Sequence, residues 1–540
     1  MAYMGEMKRA LLSVSNKERI VDLARGLAAK GIELISTGGT AEKLRQAGLS
    51  VIDVSQITKS PEMMDGRVKT LHPAIHGGIL AIRDNKDHCK EIKAQGIETI
   101  DIVICNLYPF AETVEKDDVT LESAVENIDI GGPTMIRSAA KNFQDVMVVV
   151  DSNDYDDLLR LLDKNGGKIN NKKRMELAYK AFRHTAKYDD KIREYFKGLI
   201  GENDYNKSST ASKEEIFPEE LNIQFSKKDD LRYGENPHQQ AAFYQEDTLN
   251  EPSITSAKQL YGKELSFNNI NDTNGALELI KEFKDKPAAA VIKHANPCGT
   301  AVGNNLLDAY KKAHAGDPLS AFGSIVALNR RVNAEVAEEI AGEDKFVEVI
   351  IAPGYGEKAL DLLKKRWKNI RILKTGELQV NQPRQISLGY DMKKVTGGLL
   401  VQERDLAGIE SVSELEIVTE KEPTEAELND LLFSWKVVKH VKSNAIVMAR
   451  DQMIVGVGAG QMSRVDAMII AGRKADGRQK GGVVASDAFF PFPDAIEEAA
   501  ERGINAIIQP GGSIRDDEII KAANELGLTM VFTGRRHFKH

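Results

Sequence analysis

The chain has 540 residues, more than one hydrophobic core usually holds, so two to four domains are expected. Hydrophobic residues make up 42% and charged residues 29%, the balance of a soluble globular protein, and the net charge of -8 argues against a nucleic-acid binder. No apolar run reaches transmembrane length and no targeting signal precedes the first strand pattern, which excludes a membrane partner and leaves a cytoplasmic location.

Residues 8–150 alternate strand and helix patterns, the signature of a parallel sheet with helices on its faces. Ala10–Val14 is a first strand, ending in Ser15-Asn16-Lys17. Gly31–Ile35 is a second, ending in Ser36-Thr37-Gly38-Gly39-Thr40. Glycines and hydroxyls at a strand-to-helix junction make an anion cradle, and two such loops side by side form the ligand crevice of an open α/β sheet. In the segment Gly66 to Gly78, Arg67 and Lys69 stand two apart and would share a face of an extended chain, suited to a phosphate or an oxyanion. Asp101–Cys105 is a buried strand opening into Asn106-Leu107-Tyr108. Asp129-Ile130-Gly131-Gly132-Pro133 then enters a helix that carries Lys141. Asp129 reads equally as a helix cap and Lys141 as a surface residue of the last turn.

Residues 201–220 are polar and aperiodic and read as a linker, separating residues 1–200 from 221–540. Beyond it, the apolar run Ala288–Ile292 ends in Lys293-His294-Ala295-Asn296-Pro297-Cys298. A Lys and a His at the mouth of a buried strand can lose water and approach the range useful for proton transfer. Neighbouring residues on a strand face opposite ways, so both serve one site only if the strand breaks, and Asn296-Pro297 offers the break. The order strand, turn, small residues, helix at 288–311 returns at 443–465, which suggests an internal duplication near a boundary at 395. The cysteines, Cys89, Cys105 and Cys298, are too scattered for a disulfide framework. Pro297-Cys298 matches half of a deaminase zinc motif, but Ala301 stands where the second Cys belongs, so no zinc or other metal is expected.

In order along the chain, LLSVSNK, STGGTA, GRVKTLHPAIHGG, CNLYPF, IDIGGPTMIRSAAKN, RYGENPHQ, LSFNNINDT, KHANPCG, GVGAGQMSRVDA, SDAFFPF and QPGGSIRD resemble one family. It is the bifunctional purine-biosynthesis family that combines phosphoribosylaminoimidazolecarboxamide formyltransferase with IMP cyclohydrolase. The resemblance implies a methylglyoxal-synthase-like α/β domain, then two duplicated cytidine-deaminase-like α/β units without zinc, about 221–395 and 396–540. It implies transfer of a formyl group from 10-formyltetrahydrofolate to the aminoimidazole-carboxamide ribonucleotide, then closure to inosine monophosphate with loss of water. A homodimer is implied, and a monovalent cation is left open.

The resemblance also implies residue roles. For formyl transfer, His294 shuttles the proton and Lys293 stabilises the transition state. Arg232, Tyr233, Gly323, Glu348, Asn444, Arg464, Phe489 and Arg536 hold the nucleotide, and Val465, Asp494, Ser513 and Ile514 the folate. Pro493 stands where the family usually has Arg. For cyclisation, Lys141 transfers a proton with Lys69, Tyr108 and Asp129 near the reacting atoms. Ser15, Asn16, Lys17, Thr37, Gly38, Gly39, Thr40, Arg67 and Thr70 take phosphate and ribose, and Cys105, Asn106 and Ile130 line the base. A rival reading as a nicotinamide-dependent oxidoreductase rests on Gly456-Val457-Gly458-Ala459-Gly460, but Gln461, Met462 and Ser463 follow where the fingerprint needs another Gly. A catalytically silent nucleotide sensor is opposed by the intact Lys293-His294 and Lys141.

Overall fold

A computed structural model describes the chain except residues 1–6, 62, 117, 165–168, 204–215, 218, 247–250, 379–389 and 410. Two compact units divide between Ile216 and Phe217. Most of the stretch read as a linker thus lies outside the described residues, and its first three residues belong to a helix.

The first unit contains, in order, β1 (Arg9–Val14), α1 (Ile20–Ala28), β2 (Glu33–Ser36), α2 (Gly38–Gln46), β3 (Ile52–Asp53), α3 (Val54–Thr58), α4 (Pro73–Leu80), α5 (Lys86–Ala94) and β4 (Ile102–Asn106). It continues through α6 (Phe110–Val114), α7 (Leu121–Glu126), α8 (Gly131–Lys141), β5 (Met147–Val149), α9 (Tyr155–Lys164) and α10 (Asn171–Asn203). All five strands are parallel, in the order β3-β2-β1-β4-β5. Successive strands run outward in both directions from β1, so the switch point falls between β1 and β4. Ligand crevices of open α/β sheets lie outside the carboxyl ends there. The strands are apolar on both faces because helices cover both. Leu11, Val103 and Val148 pack with Ile136 of α8, while Leu12, Ile104 and Val149 pack with Leu23 of α1.

The second unit opens with a hairpin of β6 (Ser226–Leu231) and β7 (Ala241–Gln245). Its first half runs β8 (Lys258–Tyr261), α11 (Phe267–Ile280), β9 (Ala288–Lys293), β10 (Asn296–Val302), α12 (Leu306–Gly316), β11 (Ser324–Leu328), α13 (Ala334–Ile340), β12 (Val347–Ala352), α14 (Glu357–Arg366) and β13 (Arg371–Lys374). A second hairpin follows, β14 (Tyr390–Val395) and β15 (Gly398–Glu403). Then come β16 (Glu416–Ile417), α15 (Glu425–Val438), β17 (Ile446–Arg450), β18 (Met453–Gly458), α16 (Arg464–Ala475), β19 (Val483–Ser486), α17 (Asp494–Glu501), β20 (Ala506–Gln509), α18 (Asp516–Glu525) and β21 (Thr529–Phe532).

One twelve-stranded sheet holds both halves, in the order β16-β21-β20-β19-β17-β18-β10-β9-β11-β12-β13-β8. Read outward from the centre, β10-β9-β11-β12-β13-β8 and β18-β17-β19-β20-β21-β16 have the same order of elements and the same parallel and antiparallel pairings. The halves meet antiparallel at Ala301 and Met453. The duplication suspected from the sequence is therefore a duplication of topology. The boundary drawn at 395 falls at the turn of the β14–β15 hairpin, which pairs with neither half; the second repeat begins at β16.

Pairing fixes which loops share an edge. β9 is antiparallel to β10 and β11, β12 and β13 run parallel to β11, and β18 is antiparallel to β10. The end of β9 and the starts of β11, β12 and β13 therefore lie on the same edge as the ends of β18, β19, β20 and β21. Among the described residues no helix is long and apolar enough to cross a membrane.

Candidate active sites

The first crevice is built on the carboxyl ends of β1, β2 and β4. Asn106, last in β4, accepts from the N–H groups of Ser15 and Asn16 at 2.7 and 3.0 Å and donates back to the Asn16 carbonyl. Its side chain therefore shapes the first loop. Thr40 is spent likewise, exchanging hydrogen bonds with both backbone groups of Val14. Thr37, Gly38 and Gly39 begin α2, and Gly38 has φ +51°. The Thr37 Oγ1 is buried with no hydrogen-bond partner among the described residues. A β-carbon at Gly38 would lie 3.6 Å from Lys69 Nζ, and one at Gly39 would lie 3.4 Å from Lys17 Cε. Two ammonium groups thus converge on a helix N-terminus, an arrangement that attracts a phosphate.

The opposite wall is the entry to α8. Asp129 accepts from the Gly132 N–H at 2.8 Å, and the Tyr108 N–H faces the same carboxylate. Its own N–H donates to the Tyr188 hydroxyl at 2.7 Å. Burial pushes the Asp129 carboxyl above its ordinary value, against the pull of those two N–H donors. Thr70 Oγ1 lies against Gly131, where a β-carbon would approach it to 2.7 Å. Tyr108 and Ile130 are exposed at the rim, so phenol and side-chain methyls are open to a ligand. Cys105 is buried and desolvation raises its thiol, which leaves it a packed, protonated neighbour of the Gly132 carbonyl.

Two expectations change here. Arg67 and Lys69 do not share an extended face, because Met64–Gly66 is a 3-10 turn and residues 67–70 continue as turn. The Arg67 guanidinium instead pairs with Glu126 of α7. Lys141 is the exposed last residue of the 11-residue α8. At about 1.5 Å per residue it stands roughly 15 Å along the axis from Gly131, so one chain does not bring it beside Asp129.

The second site lies along the shared edge of the twelve-stranded sheet. β9 and β10 form a hairpin in which Lys293 pairs with Asn296, leaving His294 and Ala295 as a two-residue loop with φ of +51° and +59°. Positive φ at both positions is the type I′ pattern that normally selects Asn-Gly. Non-glycine residues held there cost on the order of 1–2 kcal/mol each. The break thus falls one residue pair before the expected one. Pro297 lies inside β10 opposite Ile292, where a bulge between Pro297 and Gly299 accommodates its missing N–H.

Lys293 Nζ donates to the Gly323 and Phe322 carbonyls at 2.9 and 3.2 Å. An ammonium has three donors, so among the described residues one N–H remains for a ligand. Gly323 (φ +71°) cannot take a side chain without crowding that ammonium, since a β-carbon would lie 3.1 Å from it. Glu348, near the start of β12, accepts from Asn269 at 3.0 Å and stands 3.8 Å from Arg371. Burial, countered by Glu348, lowers the Arg371 guanidinium, and the charge of nearby Arg232 adds to the effect. Arg232 stacks on Tyr233 at 4.7 Å.

The second repeat closes on the same place. Asn296 Oδ1 accepts from the Lys442 N–H at 3.0 Å, next to Ser443-Asn444. Arg464 donates to Asn444 at 2.6 Å, and both Arg464 and Arg536 lie over the Phe538 ring. Phe489, Asp494, Ser513 and Ile514 follow the ends of β19 and β20 on that edge. Ile514 and Met462 are fully exposed, and Phe492 is half-exposed beneath Arg515. Cys298 donates to the Val291 carbonyl, and burial pushes its thiol up to about 12. Among the described residues no group of three or more His, Cys, Asp or Glu is placed to hold a metal ion.

Three side chains of this site were not singled out in the sequence: Arg371, Asn269 and Asp272. The carboxylate of Asp272 on α11 faces the N–H groups of His294 and Ala295 and lies near the His294 and Lys293 charges. The Asn/Asp-rich LSFNNINDT stretch was a usable signal, because Asn269 and Asp272 are three apart and share one helix face.

A parallel nucleotide-type crevice on one unit and a Lys-His edge site on a duplicated sheet define an α/β enzyme with two active centres. A family model described as AICARFT/IMPCHase bienzyme matches residues 139–474, and one described as MGS-like domain matches residues 19–134. The Bifunctional purine biosynthesis protein PurH of Acetivibrio thermocellus is 53% identical over 534 residues, 99% of this chain and 100% of that protein. A solved structure titled "Crystal structure of ForH" is 39% identical, covers 35% of this chain and 96% of its own, and has a TM-score of 0.33. The chain belongs to the AICARFT/IMPCHase bienzyme family. It is a formyltransferase and an IMP cyclohydrolase of purine biosynthesis.

Proposed function

We propose that formyl transfer takes place at the Lys293–His294 turn and cyclisation at the crevice of β1, β2 and β4. The observation that carries the first assignment is the convergence on one sheet edge of Lys293, His294, Gly323, Glu348, Asn444, Arg464 and Arg536. The acceptor amine of the aminoimidazole-carboxamide ribonucleotide is conjugated with its ring and is a poor nucleophile. It attacks the formyl carbon of 10-formyltetrahydrofolate, and the carbon–N10 bond breaks as the folate nitrogen takes a proton. His294 takes the amine proton, and the free N–H of Lys293 meets the oxyanion. Arg232 and Arg536 take the phosphate, Tyr233, Phe489 and Glu348 the rest of the nucleotide, and Val465, Asp494, Ser513 and Ile514 the folate.

Cyclisation joins two groups already held in one molecule, so positioning supplies much of the rate. Lys17, Lys69 and the start of α2 hold the phosphate, with Ser15, Asn16, Thr37, Gly38, Gly39, Thr40 and Thr70 around it. Asp129, its carboxyl raised by burial, serves proton transfer beside Tyr108, while Cys105, Asn106 and Ile130 back the base. Arg67 joins the phosphate by exchanging Glu126 for it. Lys141 enters this site from a second copy of the chain, in a homodimer, since α8 carries it away from its own crevice. The cyclohydrolase domain runs to the end of α10 at Asn203, a linker follows to about 220, and 221–540 is the transferase, working in the cytoplasm.

The test follows tetrahydrofolate and inosine monophosphate together in one spectroscopic assay with 10-formyltetrahydrofolate and the amino nucleotide. His294→Ala should abolish tetrahydrofolate release while supplied formylated nucleotide is still cyclised. Loss of both activities in a folded variant would rule out two separate sites.

A further inference from the structure

The duplicated sheet repeats more than its strands. In the second repeat, Asp451 and Gln452 form the two-residue turn between β17 and β18, with φ of +55° and +53°. Their N–H groups both donate to the carboxylate of Asp430, at 2.9 and 2.6 Å. Asp430 lies on α15, six residues after the N-cap Thr424. Asp272 lies on α11, six residues after the N-cap Ser266, and the N–H groups of His294 and Ala295 face its carboxylate. Both helices begin with a capping box. Each repeat therefore carries one device, a helix carboxylate set against two consecutive N–H groups of a left-handed hairpin turn. Two such N–H groups point the same way, and a carboxylate receives both.

The two copies differ in what the turn presents. The second clamp holds Arg450, Asp451 and Gln452 at the opposite sheet edge. The first holds Lys293, His294 and Ala295 among the transferase residues, and Asp272 there lies close enough to sense both the Lys293 and His294 charges. We propose that Asp272 is the positioning residue of formyl transfer: its carboxylate fixes the His294–Ala295 turn so that two sequence neighbours face one substrate. It touches neither substrate and acts through the turn. A helix anchor explains how a residue pair that a regular strand would splay apart becomes a single catalytic unit. The inference rests on placing formyl transfer at Lys293–His294.

The experiment uses the full chain with 10-formyltetrahydrofolate and the amino nucleotide, and with supplied formylated nucleotide as a second reaction. Asp272→Asn turns an N–H donor towards the turn and should lower kcat of formyl transfer by about thirtyfold or more, as misplacement near 1 Å does. KM for the amino nucleotide should stay within about threefold. Glycine takes positive φ freely, so adding Ala295→Gly to Asp272→Ala should recover at least about fivefold of the lost kcat. Asp430→Asn removes the matched clamp and should leave formyl-transfer kcat within about threefold. Wild-type kcat in Asp272→Asn overturns the proposal, and so do equal losses from Asp272→Asn and Asp430→Asn. If Asp272→Asn does not fold, the Asp272→Ala/Ala295→Gly pair decides, since no recovery over Asp272→Ala overturns it. Unchanged formyl transfer in His294→Ala instead refutes the placement of the site, whatever Asp272 does.

Discussion

Arg464 donates to Asn444 at 2.6 Å and stands 3.2 Å from Asp487, whose side chain is wholly buried. The guanidinium joins a substrate-edge amide to a carboxylate that burial pushes above its ordinary value. Removing one member of a buried pair leaves the other uncompensated, at a cost of about 3–5 kcal/mol. Arg464→Ala should therefore lower the denaturant midpoint of the second unit and abolish formyl transfer. Adding Asp487→Asn should restore much of the stability and none of the activity. A double variant with normal transfer kinetics would show that Arg464 only neutralises Asp487.

The cradle at α2 gives a prediction specific to cyclisation. Gly38 sits at φ +51° with Lys69 Nζ 3.6 Å from where a side chain would start. Gly38→Ala forces either about 1–2 kcal/mol of backbone strain or a shift of the helix start. The KM for formylated nucleotide should rise about tenfold, with formyl transfer unchanged. Competition by inorganic phosphate, measured as an inhibition constant, should weaken in parallel. A lower kcat with an unchanged KM would move the phosphate elsewhere.

Much of this was legible in the sequence, and what was not has physical causes. Gly-rich and hydroxyl-rich strand ends announced the first crevice because the residues that make it are local. Lys293-His294 stood out because it terminates an apolar run. The site of the break did not, because Asn296-Pro297 looks like a strand terminator and only the bulge opposite Ile292 shows how Pro297 stays in the sheet. Arg67 and Lys69 were misphased because a positive φ at Met64 and Gly66 curls that segment into a turn. LSFNNINDT marked the stretch but not the role of Asp272, because its carboxylate faces backbone N–H groups about twenty residues away, which leave no side-chain pattern.

The place of Lys141 can be settled by complementation. Asp129→Asn and Lys141→Ala should each abolish cyclisation if Lys141 is supplied across a two-fold interface. In a heterodimer of the two, one site then regains both wild-type residues. Mixed and re-equilibrated variants should recover roughly a quarter of wild-type sites by random pairing. Recovery should be absent if each variant is assayed alone. Full cyclisation in Lys141→Ala alone would remove Lys141 from the mechanism.

Just past the ends of α11 and α15, Glu282 accepts from Lys439 at 3.1 Å and faces His440 Nε2 at 3.1 Å. Burial alone would raise the Glu282 carboxyl. The hydrogen bond and charge of His440 and the contact with Lys439 outweigh it and hold the group at about 2, against an ordinary 4.5. Burial pushes His440 itself below its ordinary value. A carboxylate depressed on folding stabilises the protein fully above its unfolded value, and that contribution fades as pH falls towards the folded value. Glu282→Gln should therefore be less stable than wild type at pH 7, by an amount that shrinks below about pH 4.5 and disappears near pH 2. Denaturant midpoints of the two proteins measured across that range check it. A difference that stays constant from pH 7 to pH 3 would mean that packing at Glu282, and not its charge, supplies the stability.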